Sequence, residues 1–144
     1  KYDLDMVFGN ADIIDEKSRI VRKHIAPSEI QNVLNGYQIF HPTFFVRADI
    51  LRKMCDPFDP KYKIASDLKQ QLILASNKDL KSMKLDCVLT KCQAGGMSNK
   101  SVLNRLIGYG EVINSYKEVT GKNGILFLVK KVFINIMYAL RLFE

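Results

Sequence analysis

Asp67 is the acid that this sequence sets up best for chemistry. It follows the irregular stretch Phe58-Asp59-Pro60-Lys61-Tyr62-Lys63-Ile64-Ala65-Ser66 and opens an apolar-periodic run, Leu68 to Ala75, whose spacing predicts a helix. A carboxylate in the first turn of a helix meets unpaired backbone N–H groups and the positive end of the helix dipole. Such an acid is held, and an ionised aspartate can take a proton from a hydroxyl as that hydroxyl becomes acidic in a transition state. On chemistry alone, the simpler reading is that Ser66 or Asp67 caps the helix. His41 precedes Pro42 among aromatic and β-branched residues, where it is either a pocket group at a strand rim or an ordinary hydrogen-bonding imidazole. Gly95 and Gly96 stand side by side ahead of Met97-Ser98, where the backbone can approach a ligand closely or simply turn.

Four pieces occur in a familiar order: Val7-Phe8-Gly9-Asn10, then His41-Pro42-Thr43-Phe44-Phe45-Val46-Arg47, then Phe58-Asp59 through Tyr62 to Asp67, then Gly95-Gly96-Met97-Ser98. Together they resemble the bacterial family 2 glycosyltransferases over about Asp5 to Tyr116. The resemblance implies an α/β, Rossmann-like GT-A fold, with a mixed sheet flanked by helices. It also implies inverting transfer of a sugar from a nucleotide donor to a glycan or lipid-linked acceptor, in the synthesis of bacterial surface polysaccharide or glycolipid. In that family the acid at the position of Asp67 is the expected catalytic base. The positions of His41, Phe44, Asp59, Gly95, Gly96 and Ser98 would line the donor or acceptor site. Asn10 stands where the family usually has an acid, and Pro42 where it more often has Gln.

The family neutralises its leaving nucleoside diphosphate with a divalent metal, Mg or Mn, held by a D-x-D motif. Asp3-Leu4-Asp5 has those letters but precedes the apolar run Met6-Val7-Phe8 instead of following one. No metal ligand is therefore assigned within this chain. The expectation is an acceptor-side, C-terminal half of the enzyme, residues 1–120, inactive alone, followed by a linker and amphipathic helix over residues 121–144. A sheet cut in this way would have an exposed edge and an uncovered apolar face, with the strand from Met6 to Asp15 short of partners and association with a second copy expected.

Composition fits a folded protein. The 144 residues suffice for one core, and 47% hydrophobic with 26% charged residues excludes a disordered chain. A net charge of +7 and a pI near 9.3 favour anionic partners. Nucleic acid ranks last among these, because Phe40, Phe44 and Phe45 lie in apolar strands away from Lys/Arg clusters. Cys55, Cys87 and Cys92, with no CxxC spacing, suit buried thiols in a reducing cytoplasm. The start reads as the interior of a longer polypeptide, with no signal peptide.

Along the chain, Met6 to Asp15 and Arg19 to Arg22 predict a hairpin across Glu16-Lys17-Ser18. Ser28-Glu29-Ile30-Gln31 fits a capping box opening a short helix that Gly36 ends. Tyr37 to Phe40 and Thr43 to Val46 read as strand, and Ala48 to Cys55 as helix. Met83 to Gln93 reads as a strand alternating about Leu85, Cys87 and Leu89. A helix follows, keeping its period from Val102 to Tyr116 through Gly108 and Gly110. The last segment, Ile125 to Phe143, predicts an amphipathic helix with Lys130, Lys131, Asn135, Tyr138 and Arg141 within about 140° on its polar side. It either docks on its own domain or lies in an anionic membrane interface at the inner face of the cytoplasmic membrane.

Overall fold

The computed structural model describes residues 3–94 and 102–140. Gly95, Gly96 and Ser98 lie outside them. The molecule is mixed α/β, built on a four-stranded sheet around strand β1, Met6–Ile14. The strand β2, Ile20–His24, pairs antiparallel with its second half, and the short strand β3, Phe44–Val46, pairs antiparallel with Met6 to Phe8. The long strand β4, Ser82–Gln93, runs parallel to β1 along the other edge. With neighbours on both sides, β1 is the centre of the sheet, and most of its residues are buried. The expectation that Met6 to Asp15 would lack partners is thereby corrected. Among the described residues β2, β3 and β4 each pair with β1 alone, and β4 is the longest of these outer strands.

The predicted hairpin forms as expected. Its turn is tied by Asp15, whose carboxylate accepts the Lys17 and Arg19 amides and pairs with the Arg19 guanidinium at 2.7 Å. In β4 the expected alternation breaks. Gly9 faces Leu85 but Asn10 faces Val88, so a bulge throws Asp86, Cys87 and Val88 to solvent together. The cysteines are consequently not buried: Cys87 is on the bulge, Cys55 in the loop after the first helix, and Cys92 half-buried.

The described residues also form four α-helices: α1, Ala48–Lys53; α2, Ser66–Ser76; α3, Val102–Thr120, packed on α2; and α4, Gly124–Ala139, packed on α3. Helix α1 ends before Cys55, and Asp49 does not cap it but pairs with Arg47. Ile30–Asn35 forms a 3₁₀ turn with Glu29 at its N-cap and no side-chain cap, so the Ser28 capping box is absent. The Ser28 hydroxyl accepts instead from the Asn32 side-chain Nδ2. Gly36 ends that turn as predicted, in the left-handed region at φ 99°.

Residues 37–40 are not strand. The buried Gln71 side chain of α2 both donates to the Ile39 carbonyl, at 2.9 Å, and accepts its amide, satisfying the two groups a sheet would have used. Met6, Phe8, Ile30, Val33, Leu68 and Leu72 form one core, and Val112, Tyr116 and Phe127 continue it into the α3–α4 hairpin. At that hairpin Tyr116 and Phe127 stack with ring centroids 4.0 Å apart. Leu68, Leu72 and Ala75 are all buried, as their spacing predicted.

Helix α4 is capped by Asn123, whose side chain accepts the Ile125 and Leu126 amides. Its orientation reverses the simple amphipathic expectation. Lys131 faces the body and is only 9% exposed, while Ile125, Leu126, Val129, Phe133, Ile136 and Leu140 are each more than half exposed. Lys131 and Phe127 dock together, while much of the apolar side faces outward beside the exposed Lys130 and Asn135.

Candidate functional site

The irregular segment that leads into α2 is built by carboxylates. Glu111 of α3 accepts three consecutive amides, those of Lys63, Ile64 and Ala65, at 2.8 to 2.9 Å. One turn away in α3, Gly108 lies against Ile64, where an added Cβ would press within 3.3 Å. On the other side of the segment, the Lys69 ammonium bonds Asp59 and Glu118, each at 2.6 Å, and sits 4.5 Å above the Tyr62 ring. Burial works against the Lys69 charge, yet the Asp59 and Glu118 carboxylates outweigh it and push its pKa up to about 12. Burial and the Glu118 carboxylate likewise push the Tyr62 phenol up to about 12. Asp59 and Tyr62 therefore anchor the entry to α2, and neither lines the cavity that Asp67 faces.

What this anchoring presents is Asp67. It is half-buried in the first turn of α2, with its Oδ1 accepting the Leu68 amide at 2.7 Å. Neither Ser66 nor Asp67 is the helix cap, a position taken by Ala65. Asp67 lines a cavity of about 640 Å³ between α2, the α3–α4 hairpin and the 38–41 segment. His41 lines the same cavity from an exposed turn, its ring edge-on to Phe58 at 5.7 Å. Two residues 26 positions apart in sequence are thus brought to one opening. Phe44 is not part of it: its ring is buried against Phe8, with centroids 6.4 Å apart.

Lys131 is the residue that sequence reading misplaced. Its Nζ donates to the Gln38 Oε1 at 2.7 Å, and among the described residues it forms no ion pair with a carboxylate. Burial drives its pKa down to about 8, against the opposing pull of the nearby Asp67 charge. Gln38 links this lysine to β2, since its carbonyl lies 3.0 Å from the His24 Nε2. Burial holds His24 below its ordinary value, with Lys131 adding to that shift. Arg105, Asn104 and Asn135 complete the polar lining. A carboxylate, an imidazole, an ammonium and several amides around an open cavity suit a hydroxyl-rich ligand, with one group able to accept a proton.

Asp3 and Asp5 do not stand free as a cation site. Arg47 contacts both at 3.4 and 3.5 Å, and Asp5 also accepts the Lys81 amide. Among the described residues, no group of three or more His, Cys, Asp or Glu side chains is placed to hold a metal ion. The divalent metal that the family resemblance implies does not fit these residues, and no step is derived through it. Asn10, at the family's acidic position, accepts the Ala26 amide at 2.9 Å and so fastens the chain beyond β2. Compared with models of known protein families, with curated protein sequences and with solved structures, the chain gives no match.

Proposed function

We propose that this chain is the acceptor side of a GT-A glycosyltransferase of family 2 and that Asp67 is its base. The observation that carries the reading is the common cavity of Asp67 and His41, beside a segment whose Asp59 and Tyr62 hold the Lys69 ammonium and so fix α2. Asp67 accepts the proton of the acceptor hydroxyl while that oxygen attacks the anomeric carbon. The bond from that carbon to the nucleoside diphosphate oxygen breaks on the opposite face, giving inversion. The base contributes on the order of 10² to 10⁴ in rate through placement and charge. His41, at the rim, hydrogen-bonds the sugar. The nucleotide and its metal would be held by residues other than those described.

The test is sugar transfer from a panel of nucleotide sugars to membrane glycolipid or glycan acceptors. The reading expects transfer by the complete enzyme and none by the 144-residue chain alone. Robust transfer by the 144 residues would contradict the division of labour.

A second reading, a basic module that lies on an anionic membrane, is favoured by the outward apolar face of α4, with Phe133 60% and Leu140 62% exposed. Lys130 borders that face, and the net charge of +7 suits an anionic headgroup layer. Among the described residues no helix is long and apolar enough to cross a membrane. The two readings are compatible, because a peripheral helix would hold the cavity near a lipid-linked acceptor.

A further inference from the structure

A buried ammonium that meets only a neutral amide is an expensive arrangement, because desolvation is compensated by a single hydrogen bond. In Lys131 that arrangement sits in the wall of the cavity that also holds Asp67. Arg105, one helix away in α3, is exposed in the same wall and forms no ion pair among the described residues. Gln38 and Gly36 fix the lysine from outside: Gln38 accepts one of its three protons, and the Gly36 backbone packs directly on the Lys131 backbone, leaving room for no side chain. Two basic residues of different reach therefore line a space whose one described lining carboxylate is Asp67.

We propose that Lys131 and Arg105 form a subsite for an oxyanion carried by the acceptor, a sugar carboxylate or a sugar phosphate, so that a hydroxyl of the same sugar reaches Asp67. The proposal rests on the reading of the cavity as an acceptor site and names the class of acceptor that it takes. The ammonium matches the anion as a point charge and the guanidinium as a planar donor pair. Lys131 is a binding residue here, and Asp67 keeps the chemistry.

The experiment is calorimetric titration of the chain with glucuronate, glucose 1-phosphate and glucose. The expected result is binding of at least one anionic sugar about 10-fold or more tighter than glucose, with the preferred anion identifying carboxylate or phosphate as the source. Lys131→Met is expected to erase that discrimination, and Lys131→Arg to retain most of it. Should Lys131→Met fail to fold, the Cε resonance of Lys131 in ¹³C-lysine-labelled wild-type protein gives the same answer by shifting with the anionic sugar and not with glucose. Equal affinity for glucose and both anions, or discrimination that survives in folded Lys131→Met, overturns the subsite. Asp67→Asn separates this proposal from the transferase reading. It should leave anion binding intact or stronger while abolishing transfer by the complete enzyme; anion discrimination in the wild-type chain with no sugar transfer by the complete wild-type enzyme keeps the subsite and removes the reaction.

Discussion

A carboxylate that accepts three main-chain amides cannot become an amide without loss, because the charge-assisted bonds weaken and one oxygen turns into a donor. Glu111→Gln should therefore cost about 2 kcal/mol in chemical denaturation, and hydrogen exchange at Lys63, Ile64 and Ala65 should rise. Unchanged stability would mean that the segment before α2 holds itself. Lys131 makes the opposite kind of contribution. Its folded pKa, about 8, lies below its ordinary 10.5, so the unfolded chain binds the proton more tightly. The penalty is complete below pH 8 and fades as pH rises toward 10.5. Wild type should consequently gain on Lys131→Met across that window, by roughly 3 kcal/mol in total. Taking the difference between the two proteins cancels Lys69, whose raised pKa makes its own contribution fade only as pH climbs from 10.5 to about 12. A flat difference across the window would place the Lys131 ammonium in water.

At the scale of elements, the contact between the 3₁₀ turn and α4 is a sensitive joint. Gly36 needs its left-handed φ of 99°, and an added Cβ would lie 2.9 Å from the Lys131 amide nitrogen. Gly36→Ala should destabilise the fold by about 2 kcal/mol or more and deprotect α4 before the sheet. Much of this level was legible beforehand. Apolar runs and the turn between them gave β1 and its hairpin, Leu68, Leu72 and Ala75 marked the buried face of α2, and Gly36 stopped the short turn where it was expected. The misses share a cause, which is that side chains distant in sequence took over local jobs. Gln71 occupied the backbone of Ile39, so an aromatic, strand-like stretch became an irregular wall of the cavity. Glu111 held the segment ahead of α2 from another helix, and a β4 bulge turned Cys87 outward. Asp67 and His41 could be singled out from the sequence, but Lys131 could not. A period of 3.6 separates a polar from an apolar side without saying which of them docks.

For the whole molecule, the outward apolar face of α4 and the adjoining start of α3, where Val102 is 73% exposed, predict attachment to something apolar. The chain should sediment with anionic vesicles of phosphatidylglycerol more than with phosphatidylcholine alone, and raised salt should weaken the association. Phe133→Ser with Ile136→Ser should reduce it at least several-fold while the fold is kept, since both side chains face solvent. Equal binding by the double variant would move the contact elsewhere. The unpaired edge of the 12-residue strand β4 predicts in addition that light scattering finds a mass near twice the 16.5 kDa of the chain. The measurement closest to the central claim is sugar transfer by the polypeptide as its gene encodes it, wild type against Asp67→Asn, with folding checked by circular dichroism. Asp67 acting as the base predicts a loss of at least ~100-fold in turnover with little change in stability. A loss of less than about 10-fold in a folded variant would contradict it, because a base that contributes so little is not the group that takes the proton.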